Sequence, residues 1–467
     1  MIYKTEGQIL NNGLFNDAGG QLQINDVAAF RETMVDNLVE TIIMGNFDHM
    51  KKFCYWVAYN AGLQYGVVSS SIQGLYDAMG KGAVSGFTVP AMNIRTLTYD
   101  IVRSVFRAAG KINAGAFIFE IAKSEIGYTD QRPLEYSTMI ILAAIKEGYK
   151  GPIFIQGDHF QVKAKKYLED AAAEVNPLQE IIKEAIDASF YNIDIDTSTL
   201  VDLEKKTLDE QQKLNYEVCS QLTQYIRALG PRGVEISVGG EIGEVGGKNS
   251  TSEELHTFAK GYWGTLGKTK GISKISIQTG TSHGGVVLPD GSIAKVSIDF
   301  DTLRKLSEIA RRDYHMAGAV QHGASTLPNE AFHHFPEVGC AEIHLATQFQ
   351  NIVYEYLPIS LKEKIYAWLH TNCASEKKPG LTDDQFIYKT RKSALGPFKK
   401  EIFGLPAEWR AKISGVLEKE FSFLFEQLNI KNTKALVDTY VSCVPVPKAK
   451  ENFLKEEKDL GDLEGAD

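Results

Sequence analysis

The chain has 467 residues, 43% of them hydrophobic, a length that fits one large barrel with appendages or two to three domains. Its net charge of -9 is spread along the chain rather than collected in blocks, which does not favour nucleic acid as a partner. The basic patch at residues 389–400 is of a kind that is commonly a solvated face. Without an apolar run long enough to span a bilayer, and without a signal-peptide pattern at its start, we expect a cytoplasmic protein that does not bind membranes.

Residues 1–85 are predicted to form a helical N-terminal arm. Asp26 can cap an amphipathic run over residues 27–44, and a second run covers residues 47–61, with Gly62 as a natural stop. The second run is rich in aromatic residues, which more often indicates packing than a cofactor site. We expect the arm to cover one end of a barrel or a neighbouring subunit.

Residues 86–350 alternate short apolar segments of strand character with helical ones. The predicted strands cover residues 89–94, 116–121, 153–156, 191–196, 234–238, 275–278, 316–321 and 340–346. This alternation indicates an α/β fold with a parallel sheet, because parallel strands need crossover connections. Eight such units predict a TIM (β/α)8 barrel. The alternative, a doubly wound open sheet, lacks a GxGxxG motif after its first strand.

The chain beyond the barrel is predicted to be mostly helical. Residues 351–447 form a helical C-terminal extension with helices over 352–369 and 406–428. Residues 448–467 are charged and poor in apolar side chains, a composition typical of a disordered tail.

Polar residues stand where the predicted strands end, the place where chemistry gathers in a TIM barrel. In chain order they are Asp158, His159, Asp194, Asp196, Glu241, His283, His322, His344 and Thr347. Three histidines and a carboxylate from separate strand ends fit a zinc site with a position left open for substrate, although each histidine alone is more often structural. The adjacent Asp158 and His159 can face one mouth only if their strand ends there and the chain turns outward.

Glycines beside two of these histidines indicate a phosphate site. Gly284 follows His283, and Gly323 and Ser325 follow His322. Backbone N–H groups next to a hydroxyl suit a phosphate, which such barrels usually bind in the loops after the seventh strand and its neighbours. Ordinary tight turns are the alternative interpretation.

Six motifs resemble, in their order and spacing, the class II, metal-dependent aldolases that act on fructose bisphosphate and tagatose bisphosphate. They are VPAMNI, QGDHF, YNIDIDTSTL, GGEIGEVGG, TGTSHGG and QHGAS. The resemblance covers residues 86–350, with a weaker similarity in KKEIFGLPAEWR, residues 399–410. It implies a zinc-dependent lyase of glycolysis or related carbohydrate metabolism, which cleaves a ketose bisphosphate such as fructose 1,6-bisphosphate into dihydroxyacetone phosphate and an aldehyde phosphate.

The resemblance implies roles for the strand-end residues. The implied zinc ligands are His159, His283 and His322, with Glu241 as a further or alternative ligand. Asp196 lies where the family has an acid that can hold a second metal position, for a divalent or monovalent cation. Asp158 is the implied acid/base at the hydroxyl of the cleaved carbon. Zinc then stabilises the enediolate as a Lewis acid, so that no lysine Schiff base is needed.

The resemblance also implies substrate contacts around the mouth. The phosphate of a dihydroxyacetone-phosphate-like fragment is expected on Gly284, Gly323, Ser325 and Thr347. Asn93, after the first strand, matches a family asparagine near the substrate hydroxyls, and Ser124, after the second, is a candidate ligand of a second phosphate. The family's arginine for the distal phosphate has no clear equivalent, but Lys399 and Arg410 are candidates.

Two departures from the family pattern bear on the substrate. After its double glycine the family places acidic residues, one of which shuttles a proton, whereas this chain has Lys248 and Asn249. We expect Glu253 or Glu254 to replace that carboxylate, because a loop of this composition can fold over the mouth. The rival is His344, which stands where the family has an asparagine and whose unperturbed pKa near ~6.5 suits proton transfer.

Three functions stay open on the sequence alone. The first is a ketose-bisphosphate aldolase, and the second is a related lyase or epimerase acting on another sugar or a singly phosphorylated ketose. The third is a non-catalytic aldolase-like subunit, against which the complete ligand set and Asp158 argue. We expect a phosphorylated sugar as substrate and a homo-oligomer, a dimer or larger, as the assembly.

Overall fold

The core of the protein is a closed barrel of eight parallel strands. The computed structural model describes residues 1–17, 22–243, 248–280, 288, 298–456 and 463. The barrel strands, numbered one to eight in chain order, are Val89–Asn93, Ile118–Ala122, Gly151–Gln161, Asn192–Asp196, Ser237–Glu241, Lys274–Ile277, Ala319–Gln321 and Glu342–Leu345. Each pairs with the next, and the eighth pairs with the first, with Glu342 opposite Val89.

The predicted TIM barrel is therefore confirmed, with each of the eight strands close to its predicted place. The fifth strand begins at Ser237, three residues later than expected. The reason is a turn that precedes it, in which the Val234 N–H donates to the Pro231 carbonyl oxygen at 2.9 Å.

Helices follow the strands as an outer ring. Their bounds are Thr98–Lys111, Pro133–Glu147, Ala171–Asp187, Leu208–Leu229, Ser252–Leu266, Phe300–Tyr314 and Thr347–Tyr356, with the shorter Lys123–Tyr128, Ala164–Glu169 and His334–Glu337 between them. Four of these helices have a side-chain cap that accepts a backbone N–H of the first turn, which fixes where they begin. The caps are Asp170, Thr207, Thr251 and Asp299.

The N-terminal arm contains strands as well as helices. It consists of helices Glu6–Leu10, Val27–Thr33, Val35–Met44, Asp48–Tyr65 and Gln73–Gly80, a hairpin of Phe15–Asp17 with Leu22–Ile24, and a strand Val67–Ser69 that pairs with the third barrel strand. Asp26 caps the second helix as predicted. Gly62 does not end the longest helix, because the left-handed residue that ends it is Gly66, with φ 85°.

The helices after the barrel pack on its outer ring. Their bounds are Ile359–Asn372, Asp383–Thr390, Lys399–Phe403, Ala407–Gln427 and Lys434–Tyr440. The helix Ala407–Gln427 lies on the helix that follows the first strand, where the Ser104 hydroxyl donates to the Ser414 carbonyl oxygen at 3.1 Å. None of the described helices is long and apolar enough to cross a membrane.

The expected disorder from residue 448 onwards is wrong for the first part of the tail. Lys450–Phe453 form a helical turn, and the Phe453 ring is buried 5.6 Å from the Tyr59 ring. The Lys450 ammonium lies 2.7 Å from a Glu6 carboxylate oxygen. The prediction rested on the average composition of residues 448–467, which takes no account of one aromatic side chain that packs against the arm.

We expect Phe453→Ala to release this segment from the arm. Loss of a buried phenyl ring costs about 3–5 kcal/mol, so amide exchange over Lys450–Phe453 should accelerate on the order of a hundredfold. Hydrogen exchange read by mass spectrometry measures this, with Glu451→Ala, an exposed position in the same turn, as the control. Equal exchange in both variants would contradict the docking role of the ring.

Candidate active site

Side chains from three strand ends converge at the carboxyl end of the barrel. His159, Glu241 and His322 each offer one ligand atom, and these atoms lie within 4.8 Å of one another. All three side chains are buried, and the two imidazole rings are 4.3 Å apart between centroids. His283, the remaining implied ligand, lies outside the described residues.

This donor set fits a divalent metal ion. Imidazole nitrogens with a carboxylate oxygen are the ligands zinc prefers. Two ligands of a tetrahedral zinc ion, each about 2.1 Å from the metal, lie roughly 3.5 Å apart, so only small movements would complete such a site. Burial, and next the negative charge of Asp196, raise the pKa of Glu241 well above its ordinary value. A cation bound there would favour the charged form of this carboxylate and so oppose the rise in its pKa.

A β-bulge brings His159 to the mouth. The third strand runs on to Gln161 and does not end at the Asp158–His159 pair, contrary to the expected outward turn. The pairing with the fourth strand shifts between Gly157 and Phe160, and His159 has φ 40°. A non-glycine residue in this region costs about 1–3 kcal/mol, a strain often found at functional sites. The bulge thus replaces the turn as the reason that adjacent residues share one mouth.

Asp196 orients His159. One of its carboxylate oxygens is 3.3 Å from His159 Nδ1 and accepts from Gln161 Nε2 at 2.6 Å, and the other accepts from the Ser198 N–H and hydroxyl at 3.0 and 2.7 Å. Burial raises the pKa of Asp196, but these hydrogen bonds outweigh it, so the pKa lies below its ordinary value. Because both oxygens are engaged, the contacts favour an orienting role for Asp196 over the expected second metal position.

Asp158 and His344 lie on the other side of His322. His344 Nδ1 is 3.2 Å from Asp158 Oδ1 and 3.1 Å from Glu120 Oε2, and its ring is 4.1 Å from that of His322. Burial disfavours the Asp158 carboxylate, but the charges of His159 and His344 bring its pKa well below its usual range. Burial likewise disfavours the His344 imidazolium, but Glu120 and Asp158 raise its pKa well above the usual value. A histidine held protonated is a poor proton acceptor, which weighs against His344 as the expected base.

The two glutamates expected to supply the loop carboxylate have different positions. Glu253 is exposed at the start of the helix Ser252–Leu266. Glu254 is buried and caps that helix, because one oxygen accepts from the Thr251 N–H at 2.8 Å and the other lies 2.8 Å from Lys248 Nζ. In the described part of the chain neither side chain contacts the histidines.

The two candidates for the distal phosphate are paired on outer helices. Lys399 Nζ is 2.7 Å from Glu135, and Arg410 Nη1 is 3.1 Å from Asp100. Both partners belong to helices of the outer ring, so the structure does not bring Lys399 or Arg410 to the histidine cluster.

The residues implied in hydroxyl and phosphate binding stand at the ends of the first two strands. Asn93 Nδ2 donates to Glu125 at 2.5 Å, while its Oδ1 has no partner among the described residues. The Ser124 hydroxyl also lacks a described partner, and both side chains are more than nine-tenths buried. Leaving such atoms unpaired is costly, which favours their use by a ligand.

The loops after the seventh and eighth strands touch each other. Ser325 Oγ accepts from the Ala346 N–H at 2.6 Å, directly before Thr347 begins a helix. Gly323 has φ 67°, which favours glycine at this turn. The structure therefore brings together three of the four residues expected at the phosphate, and the fourth, Gly284, lies outside the described residues.

Three charged residues inside the barrel were missed by the sequence reasoning. Glu120 lies within the second strand, while Lys274 and Glu342 begin the sixth and eighth strands, and all three side chains are at most 1% exposed. Apolar strands of this kind indicate burial on both faces. A charged residue in or beside such a strand was therefore the sign that could have revealed these three residues. Barrel interiors are normally filled by branched apolar residues, and this one is not.

Comparison with known proteins identifies the family. The model of the family described as Fructose-bisphosphate aldolase class-II matches residues 75–402. Among solved structures, the chain is similar to the fructose-bisphosphate aldolase from Campylobacter jejuni, at 19% identity over 79% of this chain and 97% of that one, with a TM-score of 0.47. It is also similar to the YdjI aldolase from Escherichia coli K12, at 15% identity over 73% and 98%, with a TM-score of 0.42. No curated protein matches the chain.

The family match spans well over half of the chain and includes every barrel strand. This protein belongs to the class II fructose-bisphosphate aldolase family.

Proposed function

We propose that the protein is a zinc-dependent aldolase, a lyase that cleaves a ketose bisphosphate such as fructose 1,6-bisphosphate. The observation that carries this proposal is the convergence of His159, Glu241 and His322 beside the buried Asp158 in a chain of this family. Zinc is proposed because imidazole and carboxylate donors suit it, whereas magnesium, calcium and manganese prefer sites richer in oxygen ligands.

The residues around the proposed metal have separate roles in carbon–carbon cleavage. When bound, the ion supplies Lewis-acid stabilisation of the negative charge that develops on the ketone oxygen. Asp158, ionised at neutral pH, accepts the hydroxyl proton of the carbon that becomes the aldehyde. Asn93 Oδ1 accepts from a substrate hydroxyl, the Ser124 hydroxyl donates to one phosphate, and the adjoining loops at Gly323 and Thr347 hold the other phosphate.

A singly phosphorylated ketose is the alternative substrate class, for a lyase or epimerase of the same family. Lys399 and Arg410, the cations considered for a second phosphate, are both paired on outer helices. A substrate with one phosphate needs neither of them. The metal site and Asp158 serve this alternative equally.

The test is an assay of the purified protein against a panel of singly and doubly phosphorylated ketoses, with added zinc and with a chelator. We expect cleavage of a ketose bisphosphate that the chelator abolishes and zinc restores. Turnover of singly phosphorylated ketoses alone would favour the alternative class. The absence of metal-dependent turnover across the panel would refute both.

The metal ligands can be tested without an assay of activity. We expect His159→Ala, Glu241→Ala and His322→Ala each to lower the bound metal well below one ion per chain, because each removes a ligand from a site of few donors. Metal analysis after dialysis measures this. His256→Ala is the control, since His256 is exposed and bonded to Tyr314. Full retention of metal by all three variants would rule out the site.

The role of Asp158 makes a separate prediction. Asp158→Ala should lower turnover by roughly a hundredfold to ten-thousandfold, the range for loss of a general acid/base, with the metal still bound. Steady-state kinetics and metal analysis of the same sample decide it. Normal turnover would remove Asp158 from the mechanism, and loss of the metal would mean that it supports His159 instead.

A further inference from the structure

A line of charged side chains runs through the barrel below the proposed metal ligands. Lys274 begins the sixth strand and Glu342 begins the eighth. His344 stands two residues beyond Glu342, so the two side chains leave the strand on the same face. All three are buried.

The lower end of this line is a fully bonded ammonium group. Lys274 Nζ donates to Gln156 Oε1 at 2.8 Å, to Asp194 Oδ2 at 2.8 Å and to Glu342 Oε1. A lysine ammonium has three N–H groups, and each of them has an acceptor here. The lysine is therefore fixed in one position.

Glu342 connects this ammonium to the histidine. Its Oε1 also accepts from Gln156 Nε2 at 2.9 Å and from His344 Nε2 at 2.7 Å, while its Oε2 accepts from the Tyr76 hydroxyl. A carboxylate with donors on both oxygens cannot rotate. Glu342 therefore holds the His344 imidazole by one ring nitrogen, Nε2. A carboxylate orients a metal-bound or catalytic histidine in the same way.

The other ring nitrogen of His344 faces the site. Nδ1 lies at ion-pair distance from two carboxylates, 3.2 Å from Asp158 Oδ1 and 3.1 Å from Glu120 Oε2, although the contact with Asp158 is not aligned as a hydrogen bond. The imidazole thus spans the distance between Glu342, deep in the barrel, and Asp158, beside the metal ligands.

We propose that Lys274, Glu342 and His344 are positioning residues for Asp158. The charged pair holds the imidazole, and the imidazole holds the carboxylate in the place from which it meets the substrate hydroxyl. This inference rests on the proposed function, because it assumes that Asp158 is the acid/base.

The energetics of buried charges support a functional role for Lys274, Glu342 and His344. Replacing a buried ion pair by apolar residues of similar volume is often neutral or stabilising, so such a pair is not retained for stability alone. Barrel interiors are ordinarily filled by branched apolar side chains. Displacing an acid/base by a fraction of an ångström, in contrast, slows a reaction severely.

The test is Glu342→Gln, which keeps the shape of the side chain and removes its charge. We expect kcat to fall roughly tenfold to a hundredfold, as when an orienting partner is lost, while KM and bound metal stay close to wild type. The melting temperature should fall, because the buried Lys274 ammonium loses a charged partner. His344→Asn, which cannot span the same distance, should behave alike and serves if Glu342→Gln folds poorly. Glu184→Gln is the matched control, because it removes a charge from the pair with Arg132 on the outer helices.

A second measurement does not depend on activity. In ¹⁵N NMR of histidine-labelled, metal-free protein, the Nε2 signal of His344 is assigned by its absence in His344→Asn. We expect Glu342→Gln to shift this signal and Glu184→Gln to leave it unchanged, because Glu342, and not Glu184, accepts a hydrogen bond from that nitrogen.

The outcomes separate the inference from the function. An active wild type with normal kcat in both Glu342→Gln and His344→Asn overturns the inference and leaves the aldolase proposal standing. A loss of metal in Glu342→Gln also overturns it, since the line would then support the ligands. A wild type without turnover on the whole ketose panel refutes the proposed function, and the inference falls with it.

Discussion

Closure of the barrel is the constraint on which the candidate site depends. The pairing of the eighth strand with the first makes neighbours of residues more than two hundred positions apart, and it sorts inward-facing side chains into layers from alternate strands. The proposed ligands come from the third, fifth and seventh strands. The charged residues beneath come from the even strands, as Glu120, Asp194, Lys274 and Glu342. The side chains proposed to bind a cation thus lie above a layer of buried charged residues.

The charges of these layers explain why a cation suits the mouth. The buried carboxylates are those of Glu120, Asp158, Asp194, Asp196, Glu241 and Glu342. The positive charges that can balance these carboxylates are the ammonium of Lys274 and the imidazoles of three histidines, which are charged only when protonated. Burial raises the pKa of Asp194 to about 6 despite the nearby lysine, and it raises the pKa of Glu120 well above its usual range. Excess negative charge in a medium of low dielectric constant is thus relieved by protons, and a divalent ion can take their place.

The sequence contained most of the fold and only part of the site. Eight apolar segments alternating with helical ones predicted the barrel. Strand-end position singled out nine polar residues, and the resemblance to the aldolase family implied His159, Glu241 and His322 as ligands among them. The bulge at His159 could not be predicted from the sequence. Its residue with a positive φ is a histidine, whereas a glycine would have indicated such a backbone conformation. The spacing Thr251-x-x-Glu254 is that of a capping box and indicates that Glu254 caps a helix. The same residue lies near the predicted mouth in sequence, which favoured the catalytic interpretation instead. The partners of Lys399 and Arg410 are more than 250 residues away, so no local pattern could reveal those pairs.

The hydroxyl of Tyr76 gives the N-terminal arm a part in the interior of the barrel. It donates to Glu342 from a helix, Gln73–Gly80, that lies outside the barrel strands, and the ring lies beneath Lys274 at 5.9 Å. The arm is therefore not an independent module that could be exchanged between relatives. Because Glu342 accepts from both Tyr76 and Lys274, a relative that carries an apolar residue at one of these three positions is expected to have changed the other two as well.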